Sequence, residues 1–165
     1  MAELVDLAVG ALVMGVAGSA AMDAWSAVLR RRFGIPTLDY RLLGRWIGHV
    51  PRGRLTHERI ATASPIPGEA AIGWVAHYAI GVAFAALLLV IWGRPWLAAP
   101  TIGPALAVGI GTIVAPWFVM QPAMGAGFAG SRTPSPAATR LRNLGTHTVY
   151  GLALYAAAGL LAVVR

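Results

Sequence analysis

The sequence has no cysteine and no lysine, and charged residues fill only 12% of its 165 positions. Without cysteine there can be no disulfide framework, no thiolate metal site and no cysteine nucleophile. Without lysine there is no phosphate-binding lysine motif. No HExxH motif and no Ser-His-Asp spacing occurs either. A soluble domain carries roughly 25% charged residues, so half that share leaves too little polar material to coat a surface in water. What is present in quantity is apolar: hydrophobic residues make up 58%, and the mean hydropathy is +0.68. The length suits a single domain, 1–165.

Four apolar stretches account for this. They run over about 5–28, 70–92, 102–120 and 144–164, and only Asp6 and Asp23 interrupt the first. Each is near the ~20 residues that cross a hydrocarbon core. In lipid the backbone must satisfy its own hydrogen bonds, so each is expected to be a helix. The small residues Ala17 to Ala20 raise the question of a cleaved signal peptide. The leading segment, however, carries Glu3 and Asp6 with no positive charge, the wrong sign for one. The expected fold is therefore all-α, a four-helix bundle in a membrane.

The net charge is +7, and all thirteen basic residues are arginine. Eight (Arg30, Arg31, Arg32, Arg41, Arg45, Arg52, Arg54 and Arg59) lie between the first two stretches. Arg132, Arg140 and Arg142 lie between the last two, leaving only Arg94 and Arg165 for the other side. By the positive-inside rule the arginine-rich loops are cytoplasmic and both termini are outside, in a bacterial inner membrane. Because the charge follows topology, its expected partners are anionic headgroups rather than nucleic acid. Within the long first loop, Leu38, Leu42, Leu43, Trp46 and Ile47 recur near helical spacing, which reads as a helix lying on the membrane surface. His49 and His57 in the same loop read as solvated. Trp25, Trp46, Trp92 and Trp96 read as interfacial anchors. Ser135-Pro136 marks a helix start, so the last helix is expected to begin before its apolar stretch does.

The second and fourth stretches share histidine, glycine four later and alanine two beyond: His77, Gly81, Ala83 and His147, Gly151, Ala153. Small residues four apart let membrane helices approach closely. Rows of this kind are Ala11, Gly15 and Ser19; Gly73, Gly81 and Ala85; Gly103, Ala107, Gly111 and Ala115; and Asn143, Gly151 and Gly159. Asp23, His77 and His147 each fall on such a row, where an ionisable group inside a membrane is expected. At 1.5 Å per residue, Asp23 lies ~10 Å from Arg30, His77 ~12 Å from Glu69 and His147 ~7 Å from Arg142. The three share a depth in the cytoplasmic third.

The candidate site is thus Asp23, His77 and His147, with Tyr78, Tyr150 and Gln121 around them. Such a set could bind a small ligand or a divalent metal ion, or pass protons. It could also hold a haem between His77 and His147, with Gly81 and Gly151 making room. The plain alternative is a hydrogen-bond network that fixes helix register, in an accessory protein with no site. A transporter-like protein is the leading class and an enzyme, a metal- or haem-binding membrane oxidoreductase, the less expected one; a homo-oligomer is compatible with all of these. Gly125 to Gly130 spells GxGxxG but lacks the strand before it and the helix directly after that dinucleotide binding needs. Its amides with Arg132 could hold a phosphate or a headgroup.

Met22-Asp-Ala-Trp25, Gly44 to Gly53, Pro67-Gly-Glu69 with Gly73 to Tyr78, Met120-Gln-Pro122 and Ser131 to Pro134 together resemble a family of small four-span bacterial inner-membrane proteins. That family is catalogued only as a domain of unknown function. The resemblance covers nearly the whole chain and implies the four-span topology, with no activity to carry over.

Overall fold

The computed structural model describes residues 1–164; Arg165, counted above on the outer side, lies outside the described residues. Helix α1 spans Ala2–Phe33 and stops where Gly34 turns left-handed (φ 64°). The Gly34 and Ile35 amides close on the Arg30 and Leu29 carbonyls. Arg30, Arg31 and Arg32 fill its last turn, where positive charge complements the helix dipole. Helix α2, Tyr40–His49, is capped by Asp39, whose carboxylate accepts from the Arg41 amide. Helix α3, Glu69–Ala98, is broken at Gly93 (φ 66°, ψ −167°), the residue at which the apolar stretch gives way to a loop in the sequence.

Helix α4, Ile102–Gly111, ends at Thr112. Proline at 116 has no amide to continue the ladder, and the chain passes through a π turn, Pro116–Met120, into the short α5, Gln121–Ala123. Helix α6, Pro136–Val163, starts at the proline the sequence marks. No strand occurs among the described residues. Four helical segments are long and apolar enough to cross a membrane: Glu3–Phe33, Glu69–Ala98, Ile102–Ala123 and Pro136–Val163. The protein is all-α and a membrane protein.

Residue contacts divide the chain into two compact units. Of the described residues, the first comprises 1–36, 78–112 and 145–164. Its core joins Ala11 and Met14 of α1, Leu88 and Leu97 of α3, Ala105 and Val108 of α4, and Tyr150 and Leu154 of α6. The helices meet where side chains are smallest. A Cβ on Gly15 would strike the backbone of Val82, and one on Gly109 would strike the Cα of Gly151. On α4 the buried row is Ala105, Val108, Gly109 and Thr112, while Gly103, Ala107 and Gly111 are exposed. This corrects the expected packing row on that helix: the contact glycine is Gly109. Trp96 is also a core residue, its indole donating to the Thr101 carbonyl at 3.1 Å, rather than an interfacial anchor.

The second unit comprises 37–77 and 113–144. Here α2 packs its Gly44 against the first turn of α3, so closely that a Cβ on Gly44 would fall on the Glu69 carbonyl. The Arg45 guanidinium forks onto both Glu69 carboxylate oxygens at 2.8 Å. Its remaining nitrogen donates to the Ala61 and Ala63 carbonyls at 3.1 Å. A single arginine therefore ties the loop before α3 to α2.

Candidate functional site

Asp23 lies on α1 ten residues before its end, half-buried in a span that is otherwise apolar at this depth. In the first unit the Tyr78 hydroxyl of α3 donates to its Oδ2 at 3.0 Å. A tyrosine is well suited to this: its ring stays apolar toward the helices while its hydroxyl reaches the carboxylate. Tyr78 is a site residue that the sequence places near Asp23 by depth alone. At the other end of the same helix pair, Asp6 of α1 lies 3.7 Å from Arg94. The two contacts together fix α1 antiparallel to α3.

His147, on α6 in the same unit, is buried. Its Nδ1 donates to the Gly109 carbonyl at 3.0 Å. The Thr112 hydroxyl donates to that carbonyl at 2.9 Å and lies 3.3 Å from the same Nδ1. The α4 ladder stops at Thr112, so side chains take up the carbonyl that a continuing helix would have used. With the proton on Nδ1, the basic nitrogen of His147 is Nε2. Tyr150 is fully buried, packs its ring on Gly18 and donates its hydroxyl to the Gly81 carbonyl. That hydroxyl is committed to holding helices together.

In the second unit, His77 stacks on Tyr40 of α2 with ring centroids 4.2 Å apart. Its Nε2 lies 3.1 Å from the Tyr40 hydroxyl. Gln121 is buried and donates to Asn143 Oδ1 at 3.3 Å, while its own carbonyl oxygen has no partner. Of the six residues read from the sequence, Asp23 and Tyr78 are thus joined by a direct bond. Tyr40 and Thr112 join the candidates as partners that sequence spacing does not reveal, because each comes from a different helix, and Asn143, already on the row with His147, joins them as the partner of Gln121.

The room expected for a haem beside Gly81 and Gly151 is filled. A Cβ on Gly81 would meet Ser19 and the Gly15 carbonyl, and one on Gly151 would meet the backbone of α4. Among the described residues no group of three or more histidine, aspartate or glutamate side chains is arranged to hold a metal ion. The expected solvated state of His49 and His57 is corrected as well: His49 is only 3% exposed. Burial first, then the His49 ring and the Arg54 charge, hold the His57 imidazole below its usual range. The loop folds back under α2 through Arg45, which a composition reading of a basic segment does not foresee.

These features define a multi-pass α-helical membrane protein with polar side chains built into its spans. The chain belongs to the DUF2938 family, described as a protein of unknown function, which matches residues 12–161. No curated protein and no solved structure matches it.

Proposed function

We propose that the protein passes protons, or binds a small cation, across a bacterial inner membrane, with Asp23 as the charge-bearing centre. The observation that carries this reading is the Asp23–Tyr78 pair: a carboxylate in an apolar span, held by a hydroxyl that can also relay a proton. An ionisable group in such a place is costly, and function is its default explanation. His147, in the same unit and with a basic Nε2, completes the proposed relay; His77 and Gln121 belong to the second unit, and the proposal does not need them. The measurement is proton uptake by vesicles holding the purified protein, driven by an imposed potential.

A structural role has its own support. The His147–Gly109 and Tyr150–Gly81 bonds each tie two helices. The proposal therefore rests on Asp23 and does not need Tyr150 to act.

Both termini are proposed to lie outside, from the arginine distribution, with Arg30, Arg31 and Arg32, exposed at the end of α1, against anionic headgroups. A C-terminal alkaline phosphatase fusion should then be active, and a C-terminal fluorescent fusion dark after export; the reverse pattern sinks the orientation. The exposed row Gly103, Ala107 and Gly111 on α4 suits a second copy of the chain, since small residues favour helix association in lipid.

A further inference from the structure

The second unit contains a histidine pair separate from the Asp23 site. The segment leading into the short 3-10 turn Ile60–Thr62 is held by backbone bonds to the end of α5. The His57 amide donates to the Ala123 carbonyl at 2.8 Å, and the Ile60 amide to the Met124 carbonyl at 3.1 Å. This pairing carries the His57 ring onto that of His49, centroids 5.0 Å apart and planes at 64°. His49 Nε2 lies 3.0 Å from the Ser64 carbonyl. A carbonyl only accepts, so Nε2 holds the proton and Nδ1 carries a bare lone pair.

That Nδ1 is buried without a hydrogen-bond partner, and so are both ring nitrogens of His57. Each ring thus presents one unused lone pair in a place closed to solvent. Buried polar atoms are normally satisfied, and exceptions call for an explanation. A backbone carbonyl that fixes the tautomer from the far side of the ring is also the usual support of a metal-ligating histidine.

We propose that His49 and His57 form a two-histidine site for a soft monovalent d10 ion, copper(I) by class. Two neutral imidazoles suffice for such an ion, whereas a divalent ion wants more donors and negative charge. No third histidine, aspartate or glutamate joins the pair among the described residues. The positive charge of Arg54 acts on His57, which weighs against a divalent ion more than against a monovalent one. The paired segment also contains Met124, a buried thioether, the kind of donor that soft copper accepts.

The test is anaerobic titration of the purified, detergent-solubilised protein with copper(I) against a bicinchoninate competitor, followed by X-ray absorption of the loaded protein. The wild type should take up one copper(I) per chain, with scattering from two imidazoles. His49→Gln and His57→Gln should each lose that uptake. Asp23→Asn should keep it, which separates this site from the proposed relay. Should either glutamine variant fail to fold, the imidazole scattering of the wild type decides alone. No uptake by the wild type, scattering without two imidazoles, or unchanged uptake in a folded His57→Gln would overturn the proposal.

Discussion

The hydroxyl of Tyr78 donates to the carboxylate of Asp23 across 3.0 Å, from α3 to α1. Both residues lie in segments long and apolar enough to cross a membrane. The bond therefore joins two spans through a charge that packing alone does not require. Hydrogen bonds between membrane helices contribute only about 0.6 kcal/mol on average. A register pin could be built more cheaply from neutral groups.

Arg45 makes a different kind of link. Its fork onto Glu69 and its bonds to the Ala61 and Ala63 carbonyls hold the loop before α3. Arg45→Ala should release this loop and speed trypsin cleavage after Arg59 several-fold. Arg45→Lys should rescue little of the protection, because an ammonium cannot make the bidentate contact. Timed proteolysis of the three proteins checks this; equal rates would mean the loop is held by something else.

The α4–α6 crossing depends on Gly109. A Cβ there would overlap the Cα of Gly151 and crowd the His147 carbonyl. Gly109→Val should destabilise the protein by about 1–3 kcal/mol through overpacking. Gly159→Val, on α6 with open space around it, should leave the melting temperature nearly unchanged. Thermal melts in detergent distinguish the two, and equal losses would place the crossing wrongly.

Asp39 links α2 to pH. Its hydrogen bonds to Arg41 hold the carboxyl below its ordinary value of 3.8. The unfolded chain therefore binds the proton more tightly, and the contribution is fully present above that value and lost as pH falls below it, through the lowered folded value. Asp39→Ala should remove the cap at all pH values, costing about 0.5–2 kcal/mol of local helix stability. The wild type should approach the variant only under acid. Hydrogen exchange of the α2 amides as a function of pH reads this out; a constant difference down to low pH would contradict it.

Much of the architecture is legible in the sequence because lipid forces it. The four apolar stretches become helices, Gly93 breaks α3 where the stretch ends, and Ser135-Pro136 opens α6. The packing face of α4 was not legible. Gly103-Ala107-Gly111 and Ala105-Gly109 are both rows of small residues, and only the position of α6 decides which is used. Nor could the basic loop be read from composition. His49 is buried and His57 half-buried because Arg45 and the backbone bonds from His57 and Ile60 fold the loop back. Asp23 was legible as a site residue because a carboxylate in an apolar span is conspicuous. Tyr78 was legible as a neighbour by depth, but its direct bond to Asp23 was not, because it joins residues 55 apart in sequence.

The central claim is that the charge on Asp23 carries proton transfer, and Asp23→Asn isolates that charge. The amide keeps the size of the side chain and can still accept from Tyr78, so the fold should persist, with a melting temperature within a few degrees of the wild type. The measurement is dye-reported proton uptake into vesicles under a potassium diffusion potential, for wild type, Asp23→Asn, Tyr78→Phe and protein-free vesicles. The wild type should acidify its vesicles well above the protein-free rate, Tyr78→Phe should be slower, and Asp23→Asn should match protein-free vesicles. A wild-type rate no higher than that of protein-free vesicles, or an Asp23→Asn rate equal to the wild type, would contradict the account.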